Sequence, residues 1–161
     1  RMYRFVKDEI PGCERAVLKT MYNRALSREG HRVIGEHLIS EAEFFAGVSY
    51  EDAICNAFNY IDLHNEKDGC KEIFHDSSDI IPKIPFRALI PKGSSRITIA
   101  GRHISSDRIA MAGLRAQCTC MAMGQALGAA AAQAVNKGIP SREVNPKDIM
   151  ALTIEHGAVP V

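Results

Sequence analysis

Apolar residues recur at helical spacing from the start of the chain, where Met2, Phe5 and Val6 precede a turn at Pro11-Gly12. The same spacing predicts a second amphipathic helix from about Glu14 to Ser27, with Val17, Leu18, Met21 and Leu26 on or near one face. The β-branched run from His31 to Ile39 alternates imperfectly and predicts a strand. Ser40 ahead of Glu41 and Glu43, and Ser49 ahead of Glu51 and Asp52, have the form of helix N-caps with acidic first turns that complement the helix dipole. The helix after Ser49 is expected to run to about Ala57. Asn59 to His64 predicts a strand, and the polar stretch from Asn65 to Gly69 the tip of a hairpin or an exposed loop.

In the second half, a loop from Asp76 to Asp79 leads into Ile80 to Pro91, which three prolines restrict to extended, edge-like structure. Pro91 to Ser95 turns the chain, and Arg96 to Ala100 predicts a short strand ending at Gly101. Ser106 or Asp107 is placed to cap a helix reaching Gly113. An alanine-rich helix is predicted from about Thr119 to Asn136, stopped by Lys137-Gly138 and Pro140. A last helix, from Pro146 to about His156, has Asn145 as its cap. There is no internal repeat and no true linker.

Composition narrows the class. With 46% hydrophobic residues over 161, the chain can bury one core, which excludes wholesale disorder and disulfide-dense miniproteins. The net charge of +1 excludes a polycation as a whole, but the halves differ: residues 1–80 carry 10 basic and 15 acidic side chains, residues 81–161 carry 10 and 4. From Lys83 to Arg115 seven cations face one anion, Asp107, so something anionic is expected there. Five cysteines, Cys13, Cys55, Cys70, Cys118 and Cys120, follow no framework spacing and read as reduced and intracellular, hence a cytoplasmic expectation. The opening Arg1-Met2 reads as an excised boundary, so the lack of a targeting segment says little. The run from Cys118 to Val135 is too weakly hydrophobic for a membrane span.

Gly124 and Gly128 lie four apart and share a helical face, although each glycine costs a helix roughly 1 kcal/mol against alanine. Something is therefore expected to approach that backbone closely, whether in ordinary helix-on-sheet packing or beside a ligand. The start of this helix presents free N–H groups and a positive end, suited to an anion or carbonyl. Thr98 to Arg102 has the form of a strand ending in glycine, where a backbone can meet a phosphate with Arg102 as clamp, though such strand ends are commonplace. None of the twelve glycines forms G-x-G-x-x-G, so the chain builds no complete dinucleotide site alone.

For metals, Cys118-x-Cys120 with His103, His75 and His64 offers donors, but no C-x-x-C or His-x-x-x-His exists and no metal site is expected. A Cys–His nucleophile pair of Cys118 or Cys120 with His103 is weighed against two buried small residues at a helix start. The arginine cluster lacks interleaved aromatics, which argues against a nucleic-acid face. His31, His37 and His156 read as solvated or satisfied by neighbours.

Several stretches, in order, resemble the FAD-dependent oxidoreductases of the glutathione-reductase-like superfamily: Arg28 to Glu36, Tyr50 to Ile54, Ile61 to His64, Ile84 to Pro91, Ile99 to Ser105 and Arg115 to Gly128. The last two together are the specific part. Where the family often has Arg-Arg, this chain has Gly30-His31-Arg32, which leaves the role of His31 open. The resemblance implies the C-terminal portion of a longer flavoprotein, an α+β unit of short, mostly antiparallel strands and packed helices. Residues 1–95 would be substrate-region-like and 96–161 the strand-helix return that completes an FAD-binding domain, as one compact unit. It implies FAD as cofactor, held in the full-length protein but not by this chain alone. The implied cofactor-side residues are Gly101, Arg102, Ser105, Asp107, Arg115, Cys118, Thr119 and Gly124, with no catalytic residue and no metal assigned. Expected partners are the N-terminal FAD-binding portion and a small-molecule substrate, with possible self-association and neither nucleic acid nor membrane. The competing expectation is a non-catalytic binding or oligomerisation module that reuses the fold.

Overall fold

The computed structural model describes residues 1–23, 27–65 and 69–161. Among these, helices α1 (Met2–Glu9) and α2 (Glu41–Ala46) precede strands β1 (Ala53–Asn56), β2 (Ile61–Asn65), β3 (Gly69–Ile73) and β4 (Lys83–Pro85). Helices α3 (Arg108–Leu114), α4 (Gln117–Lys137) and α5 (Pro146–Glu155) follow, with 3-10 turns at Phe86–Leu89 and Ser141–Glu143. The strands make two separate antiparallel ribbons, β1 with β4 and β2 with β3. The result is a small α+β fold with short antiparallel strands.

Helix ends follow the capping residues. Ser40 and Glu43 form a reciprocal capping box on α2: the serine hydroxyl accepts the Glu43 N–H, and the Glu43 carboxylate accepts the Ser40 N–H at 2.8 Å. Asp107 caps α3, Asn145 caps α5 with Pro146 behind it, and α4 stops at Gly138. α4 packs on α5 and β1, while α3 packs on β2 and α2. Ile54, Ile84, Leu89, Ile104, Leu114, Met123 and Ile149 are buried between these elements. The tightest approach is at Gly113, where a β-carbon would lie 3.0 Å or closer to three ring carbons of the buried Phe44.

Five expectations are corrected. The segment after α1 forms no helix over its described residues, and Val17, Met21 and Tyr22 are exposed. With nothing packed on its apolar stripe, an amphipathic pattern alone does not hold a helix. Leu26 lies outside the described residues, as do residues 66–68 of the expected hairpin tip, although the flanking Asn65 and Gly69 do pair across β2 and β3. The 31–39 and 96–100 runs form no strands: the first makes only the isolated bridges Gly35 with Pro91 and Ile39 with Ser106, and both are tied by single bonds such as Val33 N–H to His103 O (2.9 Å) and Ile99 N–H to Leu89 O (2.8 Å). Ser49 caps no helix, because Ala53–Asn56 is buried on both faces and pairs with β4. A short buried run without alternation does not distinguish helix from buried strand. The proline-rich run is also not extended throughout: after β4 it closes into the 3-10 turn.

Candidate functional site

The first helical turn of α4 is left unsatisfied. Its N-cap is Ala116, whose methyl group accepts nothing, and the N–H groups of Gln117, Cys118 and Thr119 meet no protein acceptor among the described residues. Thr119 is 1% exposed, and its Oγ1 has no hydrogen-bond partner either. These donors stand beside a cleft of ≈ 420 Å³ whose lining includes Cys55, Asn56, Phe58, Cys118, Thr119 and Gln125. Burial pushes the Cys55 thiol up to about 12, so that side chain is an inert wall. Unpaired donors at the positive end of a 21-residue helix suit a ligand presenting carbonyl or anionic oxygens.

The other residues singled out from the sequence divide. Gly101, at φ 78°, opens a turn closed by Ile104 N–H to its carbonyl (3.1 Å). A β-carbon there would stand 3.9 Å from Cys120 Sγ, so the turn rests on the start of α4. Arg102 is exposed and donates to the carbonyl of Ser27 at 2.9 Å. Ser105 is fully buried, its N–H and carbonyl joined to Ala88 and Ile39. Asp107 accepts the Ala110 N–H at 2.8 Å and the Glu41 N–H at 2.5 Å, serving α3 and α2 together. The close approach expected over Gly124 and Gly128 is not found among the described residues: a β-carbon on either would meet nothing within 4 Å. The crowded glycines among the described residues are Gly113, Gly35 and Gly47 instead.

Arg115 sits in a second cluster. Its side chain is 6% exposed, Nη2 donates to the Asp62 carbonyl at 2.7 Å and reaches Asp62 Oδ2 at 3.3 Å, and Nε lies 3.5 Å from Glu29 Oε1. His64 Nε2 lies 3.0 Å from Asp62 Oδ2 and 2.6 Å from Arg28 Nη2, while the Cys70 thiol donates to Asp62 Oδ1 at 3.1 Å. That thiol hydrogen bond, with His64 and Arg115 adding, holds the Asp62 carboxyl below its usual range and pushes the Cys70 thiol up. Sequence reasoning named Arg115 and His64 but missed Asp62, Cys70, Arg28 and Glu29 as their company. A signal for part of it existed: alternation puts Asp62 and His64 on one strand face, and the hairpin brings Cys70 opposite His64. His103 is bound to the His31 carbonyl at 2.8 Å, and no hydrogen bond among the described residues joins it to Cys118 or Cys120.

The charge asymmetry resolves only in part within the chain: of the seven cations from Lys83 to Arg115, Arg87 and Arg115 form ion pairs among the described residues. Arg87 grips Asp52 through Nε and Nη2 at 3.0 and 3.1 Å, Arg115 meets Asp62 and Glu29, and Arg142 lies 2.7 Å from Glu36. All five cysteines are free thiols, and among the described residues no helix is long and apolar enough to cross a membrane.

No curated protein and no solved structure matches the chain significantly. A family model described as FAD dependent oxidoreductase matches residues 1–152, a wider span than the resembling stretches between Arg28 and Gly128. With nearly all of its 161 residues under that match, the chain belongs to the FAD dependent oxidoreductase family, whose members use a flavin for redox chemistry.

Proposed function

We propose that this chain is the C-terminal portion of a longer flavoprotein, that the start of α4 receives FAD, and that the assembled enzyme exchanges hydride with a small-molecule substrate. The carrying observation is the unsatisfied donor set at the start of α4: three N–H groups without protein acceptors among the described residues and the orphaned, buried Thr119 hydroxyl, with Cys118 and Thr119 lining the cleft. FAD fits it, since its pyrimidine carbonyls and pyrophosphate are the acceptors such a set lacks. When bound, FAD supplies the hydride chemistry. The chain's own part is electrostatic: the positive helix end holds an acceptor oxygen and favours negative charge arriving there, which raises the tendency to accept hydride. Arg102, at the turn resting on α4, adds long-range attraction. The lack of any G-x-G-x-x-G in the sequence supports a partner segment that supplies the phosphate loop.

The test compares the product of the complete reading frame with this chain. The longer product is expected to purify yellow with stoichiometric FAD, and the 161-residue chain colourless. Flavin absorbance co-purifying one-to-one with the isolated chain overturns the half-site reading. In the longer product, Thr119→Val removes a hydroxyl that is unsatisfied without ligand, so it should stabilise the apo form by about 1 kcal/mol while weakening FAD binding. Unchanged FAD affinity means that Thr119 does not face the cofactor.

A further inference from the structure

The face of the β2–β3 ribbon that carries Asp62, His64 and Cys70 holds three different metal-ligating atoms within 4.8 Å of one another. Strand geometry makes this group. Asp62 and His64 are two apart on β2 and so project to the same side, and His64 pairs directly with Cys70 across the ribbon. We propose that these residues bind a thiophilic divalent cation, Zn²⁺ by the chemistry of the donors.

One sulfur, one imidazole nitrogen and one carboxylate oxygen form a borderline-soft set, suited to Zn²⁺ or Co²⁺ and poor for Mg²⁺ or Ca²⁺, which require oxygen cages. Donors bound to one tetrahedral ion at about 2.0–2.3 Å stand about 3.3–3.8 Å apart. Here His64 Nε2 lies 3.0 Å from Asp62 Oδ2 and Cys70 Sγ lies 3.1 Å from Asp62 Oδ1, and with one atom from each residue all within 4.8 Å of one another, side-chain shifts of up to about an ångström bring the three to one ion.

The hydrogen bonding at His64 is itself in conflict. Nε2 lies 2.6 Å from a guanidinium nitrogen of Arg28 and 3.0 Å from a carboxylate oxygen of Asp62. A ring nitrogen that accepts from the first cannot donate to the second. A metal ion removes the conflict by taking the lone pair of Nε2 together with the carboxylate oxygen. Arg28 is the cation that now stands at this point; its side chain is 59% exposed and free to swing into solvent. Arg115, 6% exposed, stays on the Asp62 carbonyl and keeps the carboxylate oriented, as outer hydrogen bonds do for metal ligands. Binding releases the Cys70 thiol proton to solvent and leaves a fourth position open for water or a substrate atom.

The test titrates Zn²⁺ and Co²⁺ into the full chain with its thiols reduced, beside His64→Gln, Cys70→Ser, Arg28→Ala and, as a control at an exposed thiol elsewhere, Cys118→Ser. The substituted positions are exposed, so the variants keep the fold. One Zn²⁺ per chain is expected, weakened about tenfold or more by His64→Gln and by Cys70→Ser. Arg28→Ala, which removes the competing cation, should tighten it, and Cys118→Ser should leave it unchanged. The Co²⁺ complex should show a thiolate charge-transfer band that Cys70→Ser abolishes. No uptake by the parent, or stoichiometric uptake indifferent to His64→Gln and Cys70→Ser, overturns the site and reduces the cluster to an ion-pair network. Metal uptake is read without flavin, so this result is independent of the function proposed above.

Discussion

Two glycines of similar sequence context have opposite physical meaning. Gly113 faces the buried Phe44 ring, three of whose carbons would lie 3.0 Å or closer to an added β-carbon. Gly113→Ala should gain roughly 1 kcal/mol of helix propensity and lose about 1–3 kcal/mol to overpacking. The ring has no room to yield, so the loss wins. Gly124, with nothing within 4 Å, should gain the propensity alone, so Gly124→Ala is expected to stabilise the isolated chain by about 1 kcal/mol. Urea unfolding of both variants checks the pair, and equal signs would contradict the assignment of crowding. In the longer flavoprotein proposed above, the same Gly124→Ala change reports whether a partner segment closes over that face.

Between elements, the β1–β4 ribbon is clamped by Asp52 just before β1 and Arg87 just after β4. Asp52 accepts the Arg87 main-chain N–H at 3.0 Å and both guanidinium contacts. Burial acts to raise the Asp52 carboxyl, but the hydrogen bonds and charge of Arg87 outweigh it and hold the group below its ordinary value. A depressed carboxyl contributes stability fully above its unfolded value, near 3.9, and loses it as pH falls through the folded value. Asp52→Asn is therefore expected to cost about 1 kcal/mol near neutral pH, discounted because half of the Arg87 side chain is in solvent, and progressively less below pH about 4. A destabilisation equal at both pH values would show that charge is not the cause. The helices behind such clamps were legible from sequence because Ser40, Asp107 and Asn145 act locally, each bonding an N–H two or three residues on. β1 was not, since its partner lies some 30 residues later and its four buried residues carry no alternation. The site was half legible for the same reason: the bare start of α4 is a local property, whereas the company of Arg115 depends on a contact 53 residues away.

For the whole molecule, the exposed apolar side chains matter most. Val17, Met21 and Tyr22 near the N-terminus and Met121 and Val135 on α4 are each more than two-thirds exposed. Such surface favours association, so the isolated chain should self-associate as its concentration rises, and more so in sulfate, which strengthens apolar burial. A monodisperse monomer by light scattering at high concentration would refute this. The ion pairs that cross from one half of the sequence to the other have a consequence in time as well as in space. Within this chain synthesis delivers the acidic half first, and Asp52, Asp62 and Glu36 are made before Arg87, Arg115 and Arg142. β1 likewise waits for β4, and then for α4, before either of its faces is covered. Residues 1–80 are therefore made, with 10 basic against 15 acidic groups, before the arginines that pair with Asp52, Asp62 and Glu36 and before their core is complete. This stretch therefore carries its own excess of negative charge until the basic residues that complete its ion pairs arrive.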